Sequence, residues 1–391
     1  MSGAGPPATA PPGTVEIGGL GLAELTCARL LAGRGHRVRL PPPGPGMAGE
    51  RPLLLTGPAL ELLDSLWGPG LLDGAWEVTH RQVRWGDGPS ARFAQPARVV
   101  DGADVAVRMR ERLAEHGVDA RRADPPVGPP GWVVTARADR PPHFSTGRDP
   151  ALGVRPGSPA GPPVPSPVPP PVTAPVTAPV PSRAPTSAPS WPERASGRRR
   201  LLAGTAPLRR GADERTAVLG TAETGWAQLT PMGHGAALVQ AMVPGPAGDP
   251  VALLARLAAE TGLGALLRHP PRSAVAIPAA PLLHPAPATP PSGDAPGRLL
   301  VGAGAIRYDP LSGTGTAQAL RTAILAAAVI DGAARGTAAP RALCAHYTAR
   351  LRTAYAEHQR SCVRLYGNAF ARPAWSDELD AARALAASER P

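Results

Sequence analysis

The sequence predicts an α/β chain: a parallel βαβ unit near its start, a second strand–turn–helix unit near its end, and a further sheet between. Three observations carry this. A short β-branched run, residues 14–17, leads into Gly18-Gly19-Leu20-Gly21, a helical stretch over 23–34, Gly35 as its stop, and a second strand over 36–40. That order opens dinucleotide-binding folds. Residues 298–328 repeat the theme, with a strand at 299–301, a glycine turn, the loop Asp309-Pro310-Leu311-Ser312-Gly313-Thr314-Gly315, and a long Ala/Leu helix. Residues 217–226 and 236–242 read as neighbouring strands of another sheet.

Composition narrows the chemistry. The 391 residues hold 53 Pro and 45 Gly, and Lys plus Arg number 41 against 30 Asp plus Glu, a net charge of +11. Every one of those cations is arginine. Without lysine the chain has no Schiff-base amine and no phosphate-loop lysine. The clusters Arg198-Arg199-Arg200 and Arg209-Arg210 lack interleaved aromatics, so they read as solvated positions and not as a nucleic-acid platform. Cys27, Cys344 and Cys362 form no C-x-x-C pair, and together with a start lacking charge and an apolar core they predict a cytoplasmic protein. Residues 320–330 are too short an apolar run for a membrane span.

In chain order, residues 1–13 are a Gly/Pro/Ala tail predicted to be disordered. Residues 14–140 then carry the βαβ unit, a helix over 58–66, strands over 78–84 and 90–95, a helix over 105–116 and a strand over 132–136. From 141 to 195 a Pro-rich insertion with a V-T-A-P repeat excludes helix and ladder. Such a segment is predicted to be disordered or a polyproline II spacer. Residues 213–290 carry the further sheet and an amphipathic helix over 249–267, with Leu253, Leu254, Leu257 and Leu263 at helical spacing. Residues 298–391 hold the second glycine loop and a last helix over 340–366. Tyr347, Leu351, Tyr355, His358, Cys362 and Leu365 share one face of that helix, and His358 with Cys362 reads as a core pair and not as a metal site.

The 309–315 loop places Gly313 and Gly315 just before a helix, where free N–H groups and the positive dipole end suit an anion or a carbonyl edge. The stretch resembles the second flavin-contacting segment of FAD-dependent monooxygenases and halogenases. Its D-P-L-S-G-x-G form looks most like the flavoprotein hydroxylases that mature quinone-cofactor amine oxidases. The resemblance implies a Rossmann-like FAD-binding domain with an inserted β-sheet substrate domain, as in aromatic hydroxylases. Asp309, Pro310, Gly313, Thr314 and Gly315 would line the flavin ring, with Gly302 at the strand end before it. Gly18, Gly19 and Gly21 would hold the pyrophosphate, and Glu50 is the substitute candidate for the ribose.

Several positions depart from that pattern. Aligned on Gly18, the G-x-G-x-x-G fingerprint meets Leu20 and Ala23; aligned on Gly19, it keeps Gly21 and meets Glu24. The acid after the second strand is replaced by Pro41-Pro42-Pro43, the Arg after Asp101 is Gly102, and the Asp after the later strand is Ala303. Gly225-Trp226 and Pro231 keep the halogenase spacing, but Gln228 stands for its second Trp, and the halogenase lysine has no counterpart. His234, between two glycines beside Trp226, is either a general acid/base or a solvated turn residue, and Asp309 either orients the flavin edge or a water or caps its own turn.

Two readings follow from the resemblance. One is an FAD-dependent monooxygenase that hydroxylates a small molecule or peptide side chain through a flavin C4a-hydroperoxide, with NAD(P)H as candidate reductant. The other is a cofactor-free relative acting as a binding or maturation partner, for which a protein partner is a candidate. Neither involves nucleic acid, membrane or metal.

Overall fold

The computed structural model describes residues 13–42, 52–118, 131–136, 194–245, 248–370 and 373–388. The tail up to residue 12, Glu50 and nearly all of the Pro-rich insertion lie outside the described residues. β1 (Thr14–Ile17) passes through the glycine turn into α1 (Leu22–Ala32), and β2 (Arg37–Arg39) returns parallel to β1, so the βαβ opening stands. β3 (Pro52–Thr56) and α2 (Gly57–Trp67) follow, then the hairpin of β4 (Trp76–Arg84) and β5 (Ala91–Asp101). Asp101 caps α3 (Gly102–Glu115) by accepting from the Ala103 N–H at 2.7 Å, as an N-terminal aspartate should. β6 (Trp132–Thr135) closes this half.

The second half begins with β7 (Arg194–Ala195), β8 (Arg200–Pro207), β9 (Thr216–Thr221), β10 (Trp226–Gly233) and β11 (Ala236–Val243). After α4 (Pro250–Glu260) come four short strands, β12 (Val275–Pro278), β13 (Leu282–Leu283), β14 (Ala288–Thr289) and β15 (Gly297–Leu300). Last are β16 (Ile306–Arg307), α5 (Gly315–Ala334), α6 (Pro340–Ala369) and α7 (Pro373–Ser388). The helix expected over 249–267 breaks at Thr261–Gly262, where Gly262 takes φ 80° and a 3-10 turn, Leu263–Leu266, follows. α5 is 20 residues, apolar and long enough to cross a membrane by composition, and half of it is buried within the molecule.

Three sheets result. In the first, β2, β1, β6 and β15 run parallel, with β14 antiparallel at the edge. Val15, Ile17, Val134, Leu299 and Leu300 are buried there, as a parallel sheet covered by helices requires. The second has eight strands in the order β12-β8-β11-β10-β9-β4-β5-β3, antiparallel except for the parallel β4–β9 pair. The third is the small β16-β13-β7. Side chains of the eight-stranded sheet alternate between two faces. Ala227, Leu229, Val239 and Ala241 pack with Leu254 and Leu257 of α4. On the other face, Leu219, Trp226 and Met242 meet Tyr366, Phe370 and Trp375 from the α6–α7 region.

Backbone proximity fixes one glycine of this sheet. A Cβ on Gly225 would lie 2.0 Å from the Met242 carbonyl oxygen, a backbone atom that cannot swing away. Gly225→Ala should therefore cost about 1–3 kcal/mol, the range for overpacking a tight site, read as a lower urea midpoint. An unchanged midpoint would show that the β10–β11 pairing is looser than drawn.

Candidate functional site

The first glycine turn binds its own chain. Glu24, in the first turn of α1 and only 3% exposed, folds back over the turn. Its Oε2 accepts from the Gly21 N–H at 3.0 Å and its Oε1 from the Ala136 N–H, just past β6, at 2.8 Å. A Cβ on Gly19 would lie 2.3 Å from Glu24 Oε1, so the carboxylate rests on that glycine. Gly18 is committed to packing: a Cβ there would stand 2.8 Å from the Thr135 Cβ, and its N–H donates to Val134 O. Leu20 is buried.

The positions therefore follow the frame that starts at Gly19, with Glu24 in place of the third glycine. In dinucleotide sites those glycines let the backbone and the helix N-terminus approach a pyrophosphate. Here a carboxylate already takes the Gly21 N–H and lies against Gly19. A phosphate charge about 4 Å from a carboxylate is repelled by about 4 kcal/mol at an effective dielectric near 20. The nucleotide end does not fit FAD. That corrects the expectation that Gly18, Gly19 and Gly21 hold its pyrophosphate.

The second glycine loop divides into a buried and an open part. Asp309 is 1% exposed. Its carboxylate accepts from Arg199 Nη1 at 2.8 Å, from the Tyr366 hydroxyl at 2.9 and 3.0 Å, and from the Leu311 N–H at 2.9 Å. Burial pushes the carboxyl pKa up and Arg199 pulls it down. Since each of these partners is a donor, we read the pair as ionised. Glu378 of α7 flanks Arg199 Nε at 3.0 Å from the other side, and Trp226 donates to the Tyr366 hydroxyl at 3.0 Å. Asp309 is thus a structural anchor, which corrects its assignment as a catalytic, ring-facing group. Arg199, 2% exposed, is likewise far from the solvated position expected of its basic run.

Pro310, Gly313 and Gly315 are exposed, with Gly313 at φ 63° and Gly315 opening α5. Thr314 spends its hydroxyl on Ser312 Oγ at 3.0 Å. Gly302, at φ 58°, is buried and donates to Thr322 Oγ1 at 2.8 Å, and a Cβ there would meet that of Ala23 at 3.3 Å. It packs α5 against α1.

His234 does not join this group. It occupies the β10–β11 turn, exposed at φ 54°, beside Trp76 at 6.2 Å. The Tyr366–Asp309 cluster touches Trp226 at the far end of β10, roughly 25 Å away at strand rise. Sequence proximity to Trp226 misplaced it. A polar patch missed in the sequence lies between those ends, on the face away from α4. There Arg81 Nη2 donates to Gln228 Oε1 at 3.2 Å, and Gln228 Nε2 to Thr230 Oγ1 at 3.0 Å.

His358 backs the loop. Its Nε2 accepts from the Asp309 N–H at 2.8 Å, Cys362 Sγ lies 3.4 Å from the same nitrogen, and Tyr308 stacks on the ring at 4.0 Å. Burial, then Arg199, pushes its pKa down to about 4. The folded state therefore keeps it neutral where the unfolded chain, near 6.5, is protonated. That contribution is full above pH 6.5 and lost as pH falls toward 4, roughly 3 kcal/mol in all. His358→Gln, an acceptor that does not titrate, should flatten this part of the stability–pH curve. Parallel curves for the two proteins would show that His358 is not held neutral.

No family model matches the sequence, and no curated protein matches it. Solved structures do. QhpG, a peptidyl tryptophan dihydroxylase essential for tryptophylquinone cofactor biogenesis, superposes with a TM-score of 0.64 at 20% identity, over 94% of this chain and 79% of its own. The flavin-dependent halogenase CmlS gives 0.65 at 16% identity, over 95% and 67%. The myxobacterial chondrochloren halogenase CndH gives 0.62 at 18%, over 93% and 85%. At such identities the likeness is one of architecture, and the chain has the fold of the FAD-dependent monooxygenases and halogenases.

Proposed function

We propose that this chain is a cofactor-free relative of the flavoprotein hydroxylases, a binding or maturation partner that holds a small molecule or peptide side chain on its eight-stranded sheet. The observation that carries this is Glu24, whose carboxylate takes the Gly21 N–H and sets a negative charge where a pyrophosphate would lie, held there by the Ala136 N–H. The altered ribose, Arg and Asp positions point the same way. The resemblance to QhpG, a peptidyl dihydroxylase, supports a peptide or small-molecule ligand.

An FAD-dependent monooxygenase is the second reading. It is favoured by the exposed Gly313–Gly315 turn and by Ala303, also exposed, where an aspartate would have room. If FAD binds, it supplies the oxidative chemistry, and the protein's part is to hold the substrate beside that turn.

Purified protein should be colourless, and FAD titration should leave flavin fluorescence unquenched. Glu24→Gly, which completes G-x-G-x-x-G from Gly19, should raise FAD affinity by about 100-fold or more once the charge is gone. Wild-type protein that carries flavin on purification, or binds it at micromolar concentration, sinks the cofactor-free reading and leaves the monooxygenase.

A further inference from the structure

Two arginines of this chain, Arg199 fully buried and Arg81 half-buried, are treated very differently. Arg199 has carboxylates on both sides. Arg81, in β4, has none among the described residues. Its Nε is buried without a hydrogen-bond partner, and Nη2 donates to a neutral amide, Gln228 Oε1. Burial lowers the guanidinium pKa. A desolvated cation without a counter-charge is costly. Folds keep such a group where a ligand completes it.

The surroundings indicate what would complete it. Across the ladders Arg81 stands opposite Phe93 on one side and Ala217 on the other. Directly paired residues share a face of the sheet. Ala217 is small, so the guanidinium can lie across β9 to reach Gln228. Gln228 pairs with Gln240 across the β10–β11 ladder, which extends the polar row. Phe93 is 45% exposed, an unusual state for a large aromatic side chain in a sheet. One end of this face is covered by Leu311 and the α6–α7 aromatics, and the other by Trp76 and Met232.

We propose that Arg81, Gln228 and Phe93 form a binding site for an aromatic carboxylate, whose anionic end supplies the acceptor Arg81 lacks and whose ring lies along Phe93. This deepens the reading that the sheet carries the ligand, on which it rests. Inorganic phosphate offers charge without an apolar body, and a neutral amide offers shape without charge.

The test is calorimetric titration of the full chain with benzoate, benzamide and inorganic phosphate. Benzoate should saturate one site, with benzamide and phosphate at least about tenfold weaker, as loss of a charged hydrogen bond or of ring contact implies. Arg81→Met should weaken benzoate by at least about tenfold while raising Tm, because it removes an unpaired buried charge. Phe93→Ala, at an exposed position, should weaken benzoate without lowering Tm, and it serves if the Met variant does not fold. The site is overturned if benzoate never saturates, if either variant binds it as wild type does, or if benzamide or phosphate binds equally well. FAD titration of the same samples reports separately. Flavin binding with benzoate selectivity intact would overturn only the cofactor-free reading, and loss of that selectivity in flavin-free protein would overturn only this site.

Discussion

The ion pair between Arg199 and Asp309, with side chains 2% and 1% exposed, joins four separate parts of the chain. Arg199 stands one residue before β8, Asp309 begins the second glycine loop, Tyr366 comes from α6 and Glu378 from α7. A buried pair contributes little net stability against an apolar alternative, but removing one partner strands a charge at about 3–5 kcal/mol. Its effect is therefore on arrangement more than on stability. Gly197, at φ 90°, leaves room for Glu378: a Cβ there would lie 1.9 Å from Oε2. The eight-stranded sheet, the loop and the two last helices are thereby held to one geometry.

Charge placement elsewhere follows the same logic with different outcomes. At the first glycine turn the Gly21 N–H, which a foreign anion could take, is taken by Glu24 three residues on, and one N–H from beyond β6 holds the other carboxylate oxygen. On the large sheet, Arg81 has only Gln228 to bond. One charged group is thus satisfied within its own turn, and the other is left with a neutral partner.

Much of the architecture was legible because periodicity and glycines encode it. The βαβ unit, the β10–β11 pair and α5 follow from β-branched runs, helical spacing and turn residues read locally. Asp309 was legible as the cap of its turn but not as half of a buried ion pair. Its partner Arg199 lies 110 residues away, inside an arginine run that looks solvated. The Glu24 substitution was visible as a lost glycine, yet its rotamer, which turns the loss into a cap, is a tertiary fact. His234 was drawn toward Trp226 by sequence distance, whereas an extended strand carries its ends apart. α7 was overlooked, although Trp375 and Leu379 in it belong to the aromatic cluster. Arg81 belongs to no motif. Alternation along β4, which puts it on the Phe93 and Gln228 face, was the signal available.

The parallel junction of β4 and β9 has a kinetic consequence. Thr79 and Arg215, hydrogen-bonded at that junction, are 136 residues apart in the chain. Closing so wide a loop is cheap at equilibrium, since each doubling of length adds only about 0.6 kcal/mol. That tolerance is what allows a long insertion between the halves of one sheet. During synthesis, however, the β3–β4–β5 segment emerges with β4's outer edge unpaired until β9 arrives. Non-local parallel pairing of this kind is slow to form and exposes strand edges meanwhile. The eight-stranded sheet therefore depends on timely completion of its chain.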